Sequence, residues 1–176
     1  IIFSLFVGEF SFAQYKDTLL DLNGTSLYIK EIGTGSPIIV VHGGPGLNHS
    51  YFLPHLNSLA KKHRLIFYDQ RACGNSSGKL DSTQMNLHLF VEDIEAIRKS
   101  LNLGKVAILA HSWGGLVAMN YASKYSSNIS GLILSNSVSP KFGEFENETN
   151  LRLKARIPSE DSILRSEILK STEFKS

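Results

Sequence analysis

The sequence predicts an α/β fold, a mostly parallel sheet with helices on both faces. Short apolar runs suited to buried strands alternate with stretches whose apolar residues recur every three or four positions, the rhythm of strands joined by amphipathic helices. Right-handed crossovers onto a parallel sheet follow from that rhythm. Several of the runs pass at once into glycine-rich or polar turns, where open α/β sheets assemble their sites. The length of 176 residues is enough for one core-bearing domain and not comfortably for two.

Composition narrows the function classes. With 18 basic against 16 acidic residues and a formal net charge of +2, nothing points to nucleic acid or an anionic membrane as a partner. The single cysteine, Cys73, excludes an intrachain disulfide framework and reads as a small packed residue. Six histidines, at 42, 49, 55, 63, 88 and 111, show no metal-ligand spacing, so neither a metal nor a cofactor is expected.

Residues 1–7 are almost wholly apolar and are followed by Ser11-Phe12-Ala13-Gln14, like the tail of a secretory signal peptide cut after Ala13. Glu9 fits that pattern poorly. The expectation is a signal-peptide remnant over 1–14 and an exported protein, periplasmic or secreted, with a cytoplasmic one as the alternative. The run is too short to span a bilayer.

From Tyr15 the signals are β. Residues 18–22 and 25–32 flank Asn23-Gly24, the dipeptide that most strongly favours a tight hairpin. A turn over 33–36 leads to a buried strand over 37–41. It ends in His42-Gly43-Gly44-Pro45-Gly46, a loop whose backbone can approach a ligand without interference from β-carbons. No phosphate-loop pattern with its lysine occurs. Residues 50–61 have helical spacing with Pro54 in the first turn. The strand over 64–68 then carries Asp69-Gln70-Arg71 to its carboxyl end, where Asp69 and Arg71 are expected to pair and brace the loops.

Leu87, Val91, Ile94, Ile97 and Leu101 mark a helix ending near Gly104. It leads into the stretch around which the chain is organised, a buried strand over 106–110, a tight turn, and a helix with Leu116, Val117, Met119, Tyr121, Ala122 and Tyr125 on its apolar side. Ala110-His111-Ser112-Trp113-Gly114 at the turn is close to the G-x-S-x-G elbow, which lifts a serine on a strained strand-to-helix turn. Such a turn tolerates only small neighbours, and Ala110 adds a methyl to the pattern. The plain alternative is a serine capping an ordinary helix. Residues 129–134 form one more apolar strand, with Ser135-Asn136-Ser137 at its end. Beyond Pro140 the composition turns charged. There the reading is the start of a helical lid over 141–176, or else a solvated helical tail.

Three of these motifs, in this order, resemble those of the prolyl aminopeptidases, or proline iminopeptidases, of the α/β-hydrolase fold. His42-Gly43-Gly44-Pro45-Gly46 is similar to that family's HGGPG loop, Asp69-Gln70-Arg71 through Gly74-Asn75-Ser76 to its D-Q-R-G-x-G-x-S segment, and His111-Ser112-Trp113-Gly114-Gly115 to its elbow. Ala72 and Ala110 stand where the family has glycine. The resemblance implies an α/β-hydrolase core over 15–140, truncated before the last strands, and the start of a cap over 141–176. It implies Ser112 as nucleophile and the backbone N–H groups of Gly44 and Trp113 as oxyanion hole, with His42, Gly43, Pro45, Gly46, Asp69 and Arg71 in supporting loops. The substrate would be a small peptide, amide or ester.

A serine hydroxyl needs a base, and in this family the triad's acid and histidine lie downstream of the cap. Neither His42 nor His111 suits that role, because the first belongs to the glycine loop and the ring of the second should point away from Ser112. Little or no turnover is therefore expected of these 176 residues alone. The strand over 129–134 should present an open apolar edge and favour aggregation or dimerisation. The alternatives to a peptidase are an esterase or lactonase of the same fold, and a non-catalytic hydrolase-fold protein.

Overall fold

The computed structural model describes residues 15–78, 83–140 and 151–152. Two compact units divide after Val138. The second is described only at Ser139, Pro140, Leu151 and Arg152, the last two helical. The expected signal remnant, and all of the expected lid but Leu151 and Arg152, lie outside the described residues.

The first unit is built on a six-stranded sheet. The hairpin read from Asn23-Gly24 is β1 (Tyr15–Leu22) against β2 (Thr25–Ile32), antiparallel, with Leu22 opposite Thr25. Asn23 and Gly24 both have positive φ, 48° and 75°, as a two-residue turn of this kind requires. β2 continues the sheet antiparallel to β4 (His63–Tyr68). From there the sheet is parallel, with β3 (Ser36–Val41) between β4 and β5 (Val106–His111), and β6 (Ile129–Ser135) beyond β5.

Alternation along the strands divides the core. Ile39, Val41, Ile66, Tyr68, Ile108 and Ala110 face α1 (Leu87–Ser100) and α2 (Trp113–Lys124), which supply Phe90, Val91, Ile94, Ile97, Val117, Ala118 and Tyr121. Ile38, Val40, Leu65, Phe67 and Leu109 face the other way, onto Phe52 and Ala60. Fully burying one such aliphatic side chain is worth roughly 1.5–3 kcal/mol, so the two faces together outweigh any single polar contact described below.

The helix expected over 50–61 does not form. Two short 3₁₀ turns, His49–Phe52 and Leu59–Lys61, stand at its ends. Between them the chain descends through i→i+3 bonds such as Asn57 N–H to Pro54 O. Pro54 lies too far in for a helical first turn, where its missing N–H would have done no harm. One face of the sheet is thus covered by α-helices and the other, among the described residues, by 3₁₀ turns. Among the described residues β6 is the last strand in order, and Leu132, Ile133 and Leu134 on it are 37%, 52% and 42% exposed.

Candidate active site

β3, β4 and β5 run parallel, so their carboxyl ends bring together the glycine loop after Val41, the Asp69-Gln70-Arg71 segment after Tyr68, and Ser112 after His111. Ser112 has φ 53° and ψ −122° and makes no capping hydrogen bond to α2. An ordinary N-cap is extended and bonds to its helix. This serine does neither, and its conformation is one that costs on the order of 1–3 kcal/mol and persists only where the surroundings impose it.

Those surroundings are visible. The Ser112 N–H donates to the Ser135 carbonyl at 3.1 Å, and its own carbonyl accepts from Gly115 at 2.9 Å and Val138 at 3.2 Å. The loop after β6 therefore holds the turn from one side. On the other, a β-carbon placed on Gly43 would lie 3.0 Å from the Ser112 β-carbon and 3.1 Å from His111 Nδ1. The glycine loop packs directly against the serine, and a side chain at Gly43 would press on Ser112 and His111. Gly44 and Gly46 carry φ of 121° and 95°, a region that favours glycine. Pro45 and Gly46 are exposed, while Gly44 is half-buried.

His42 is fully buried. Its Nε2 accepts from the Gln70 backbone N–H at 2.9 Å, which leaves the ring proton on Nδ1, 2.6 Å from the Gly43 carbonyl oxygen. Burial pushes the His42 pKa down, consistent with that neutral tautomer. In a trans peptide the carbonyl and N–H point in opposite directions. Holding the Gly43 carbonyl on the ring therefore turns the Gly44 N–H away from it.

Tyr51 closes the rim. Its hydroxyl oxygen accepts from the Gly43 N–H at 2.6 Å and lies 3.0 Å from His111 Nδ1. Burial keeps the phenol pKa raised. The His111 ring is thus turned toward Tyr51 and Phe52, beside the glycine loop.

Asp69 and Arg71 do not pair. Asp69 Oδ1 accepts from the His49 N–H at 2.9 Å and lies 2.6 Å from His49 Nδ1, while Oδ2 accepts from the Asn75 N–H at 2.9 Å. Burial opposes the charge, but these bonds prevail and lower its pKa. Arg71 instead reaches α1, donating from Nε and Nη2 to the two oxygens of Asp93 at 2.8 and 2.7 Å. Both residues lie past the end of β4, in the turn that follows Tyr68, where strand alternation no longer sets their directions, and each finds its own partner. His49 stacks on Tyr28, which leaves the Asp69–His49 pair bracing the glycine loop. Cys73 is buried, its Sγ 3.4 Å from the Gly46 N–H and its pKa raised by burial.

Sequence reasoning assigned no part to Gln70, Tyr51, His49 or Asp93. Gln70 carried one signal, its place at a strand's carboxyl end. Among the described residues no group of three or more His, Cys, Asp or Glu is placed to hold a metal ion, and no helix is long and apolar enough to cross a membrane.

Residues 36–157 match the family described as alpha/beta hydrolase fold. A proline iminopeptidase of Heyndrickxia coagulans is 37% identical over 158 residues, which cover 88% of this chain and 54% of that protein. One from Flavobacterium johnsoniae is 33% identical over 130 residues, covering 69% and 43%. The chain thus spans about half the length of the curated relatives it matches. Among solved structures, a proline iminopeptidase-related protein from Thermus thermophilus superposes with TM-score 0.66 at 26% identity, covering 69% of this chain and 44% of that one. An epoxide hydrolase from Vigna radiata shares the fold, with TM-score 0.63 at 24% identity over 68% and 39%.

Proposed function

The chain belongs to the α/β hydrolase fold family, and from that premise we propose that it is the amino-terminal part of a serine hydrolase that releases amino-terminal proline or a similar residue from peptides. The observation that carries this reading is the strained Ser112, packed against the glycine loop and not capping its helix. Ser112 Oγ attacks the carbonyl carbon of the substrate's first residue as a general base takes its proton. The oxygen that gains the charge is met by the backbone N–H groups of Gly44 and Trp113, aimed before the charge appears. Collapse expels the shortened peptide as an amine and leaves an acyl-enzyme, which water hydrolyses to free the amino acid.

The base and its carboxylate come from outside these residues. His42, His49 and His111 are committed to Gly43 and Gln70, to Asp69, and to Tyr51. The names of the relatives favour a peptidase over an esterase. Epoxide-hydrolase chemistry is disfavoured because that branch uses an aspartate where Ser112 stands. The test compares a proline arylamide with a short acyl ester on the complete gene product. Faster turnover of the arylamide, fluorophosphonate labelling of Ser112, and loss of at least about a thousandfold in Ser112→Ala are expected. Full activity in Ser112→Ala would end the reading. Arylamide turnover by the isolated 176-residue chain at the rate of a complete relative would refute the missing base.

A further inference from the structure

The two amides read as oxyanion donors sit on different elements, Gly44 in the loop after β3 and Trp113 at the start of α2. Their separation must hold to a few tenths of an ångström for both to meet one oxygen. One side chain spans the gap. The Gln70 carboxamide donates from Nε2 to the His42 carbonyl at 2.6 Å and accepts at Oε1 from the Trp113 indole N–H at 3.2 Å. Its backbone N–H also fixes the His42 ring at 2.9 Å, and that ring holds the Gly43 carbonyl. The amide's orientation is unambiguous, since the indole only donates and the carbonyl only accepts. Gln70 is 1% exposed, so water offers no substitute for either bond.

We propose that Gln70 is a positioning residue for the hydrolytic step, tying the glycine loop and the first residue of α2 into one rigid oxyanion site. It touches no reacting atom and acts through His42 on one side and Trp113 on the other. The assignment rests on the reading of Gly44 and Trp113 given above. A merely structural glutamine would affect stability and substrate binding together. A positioning one affects the charge-bearing transition state, and therefore kcat rather than KM.

The test uses the complete gene product with Gln70→Met, which keeps length and volume and removes both side-chain bonds, and Trp113→Phe, which removes the indole donor and leaves a smaller ring against Phe90. Gln70→Met should lower kcat by about 10- to 100-fold with KM within about twofold of the parent. Fluorophosphonate labelling of Ser112 should slow to match. Trp113→Phe should lower kcat by a few-fold, and the double variant should fall no further than Gln70→Met. If Gln70→Met does not fold, Trp113→Phe decides alone, and a parental kcat there overturns the proposal. So does a folded Gln70→Met with parental kcat and labelling rate, or one in which only KM changes. Absence of Ser112 labelling in the parent would instead refute the serine reading itself, which keeps the two failures apart.

Discussion

Gly114 faces the His42 carbonyl so closely that a β-carbon on it would lie 2.5 Å from that oxygen and 2.6 Å from the oxygen of Val41. Both obstacles are backbone at the end of β3, a central strand that cannot retreat. The elbow's second small residue is therefore demanded by the strand under the glycine loop.

Gly114→Ala should destabilise by about 1–3 kcal/mol through overpacking and displace Ser112 from the loop. A misplacement of that order should lower activity about a hundredfold. Urea melts and arylamide turnover of the complete gene product check both. Parental stability and rate would show that the strand end yields.

Arg71 and Asp93, both 1% exposed, form a two-pronged ion pair that ties the Asp69-Gln70-Arg71 segment to α1. Asn23 also donates to Asp93, at 3.0 Å, bringing in the β1–β2 turn. Removing one partner strands a buried charge, so Arg71→Met should cost about 3–5 kcal/mol, and Arg71→Met with Asp93→Leu distinctly less. Denaturant melts of the three proteins measure this. A double variant no more stable than the single one would show that the stranded Asp93 charge is not the source of the loss.

Glu95, 3% exposed, accepts two bonds from Arg98 at 2.8 Å each and one from Tyr121 at 2.8 Å. The Arg98 bonds are the main reason its pKa falls to about 2 from an ordinary 4.5. A depressed carboxylate contributes stability that is fully present above pH 4.5 and lost as pH falls toward 2. Glu95→Gln should melt earlier at pH 7, by about 1–3 kcal/mol, and lose less than the parent between pH 4.5 and 2. Parallel pH profiles would contradict this.

Ala72 has φ 56° at the position where the prolyl aminopeptidase motif has glycine. Its methyl group is strained there, so Ala72→Gly should stabilise by about 1 kcal/mol, raising the melting temperature by roughly 2–4 °C. A lower melting temperature would show that the methyl's packing beside Gly78 outweighs the strain.

Much of this architecture was legible from one dimension. Apolar runs located β3, β4, β5 and β6 to within a residue or two, and Asn23-Gly24 located the hairpin. The order of the three motifs placed the serine and the glycine loop at neighbouring strand ends, because parallel strands must present their carboxyl ends together. Those readings rest on periodicity and turn chemistry, which are properties of adjacent residues. Spacing misled over 50–61, where Pro54 broke a helical pattern that the leucines alone would support.

Partners of buried polar groups were the tertiary structure's to decide. Asp69 could have bonded Arg71 beside it, yet it bonds His49, and Arg71 crosses to Asp93, 22 residues on in α1. Gln70 acquires its role only because the order β4-β3-β5 sets the ends of three strands side by side. Buried charge and amide groups must be satisfied by whatever packing brings within 3 Å. Which groups those are is a matter of topology, and no local pattern records it.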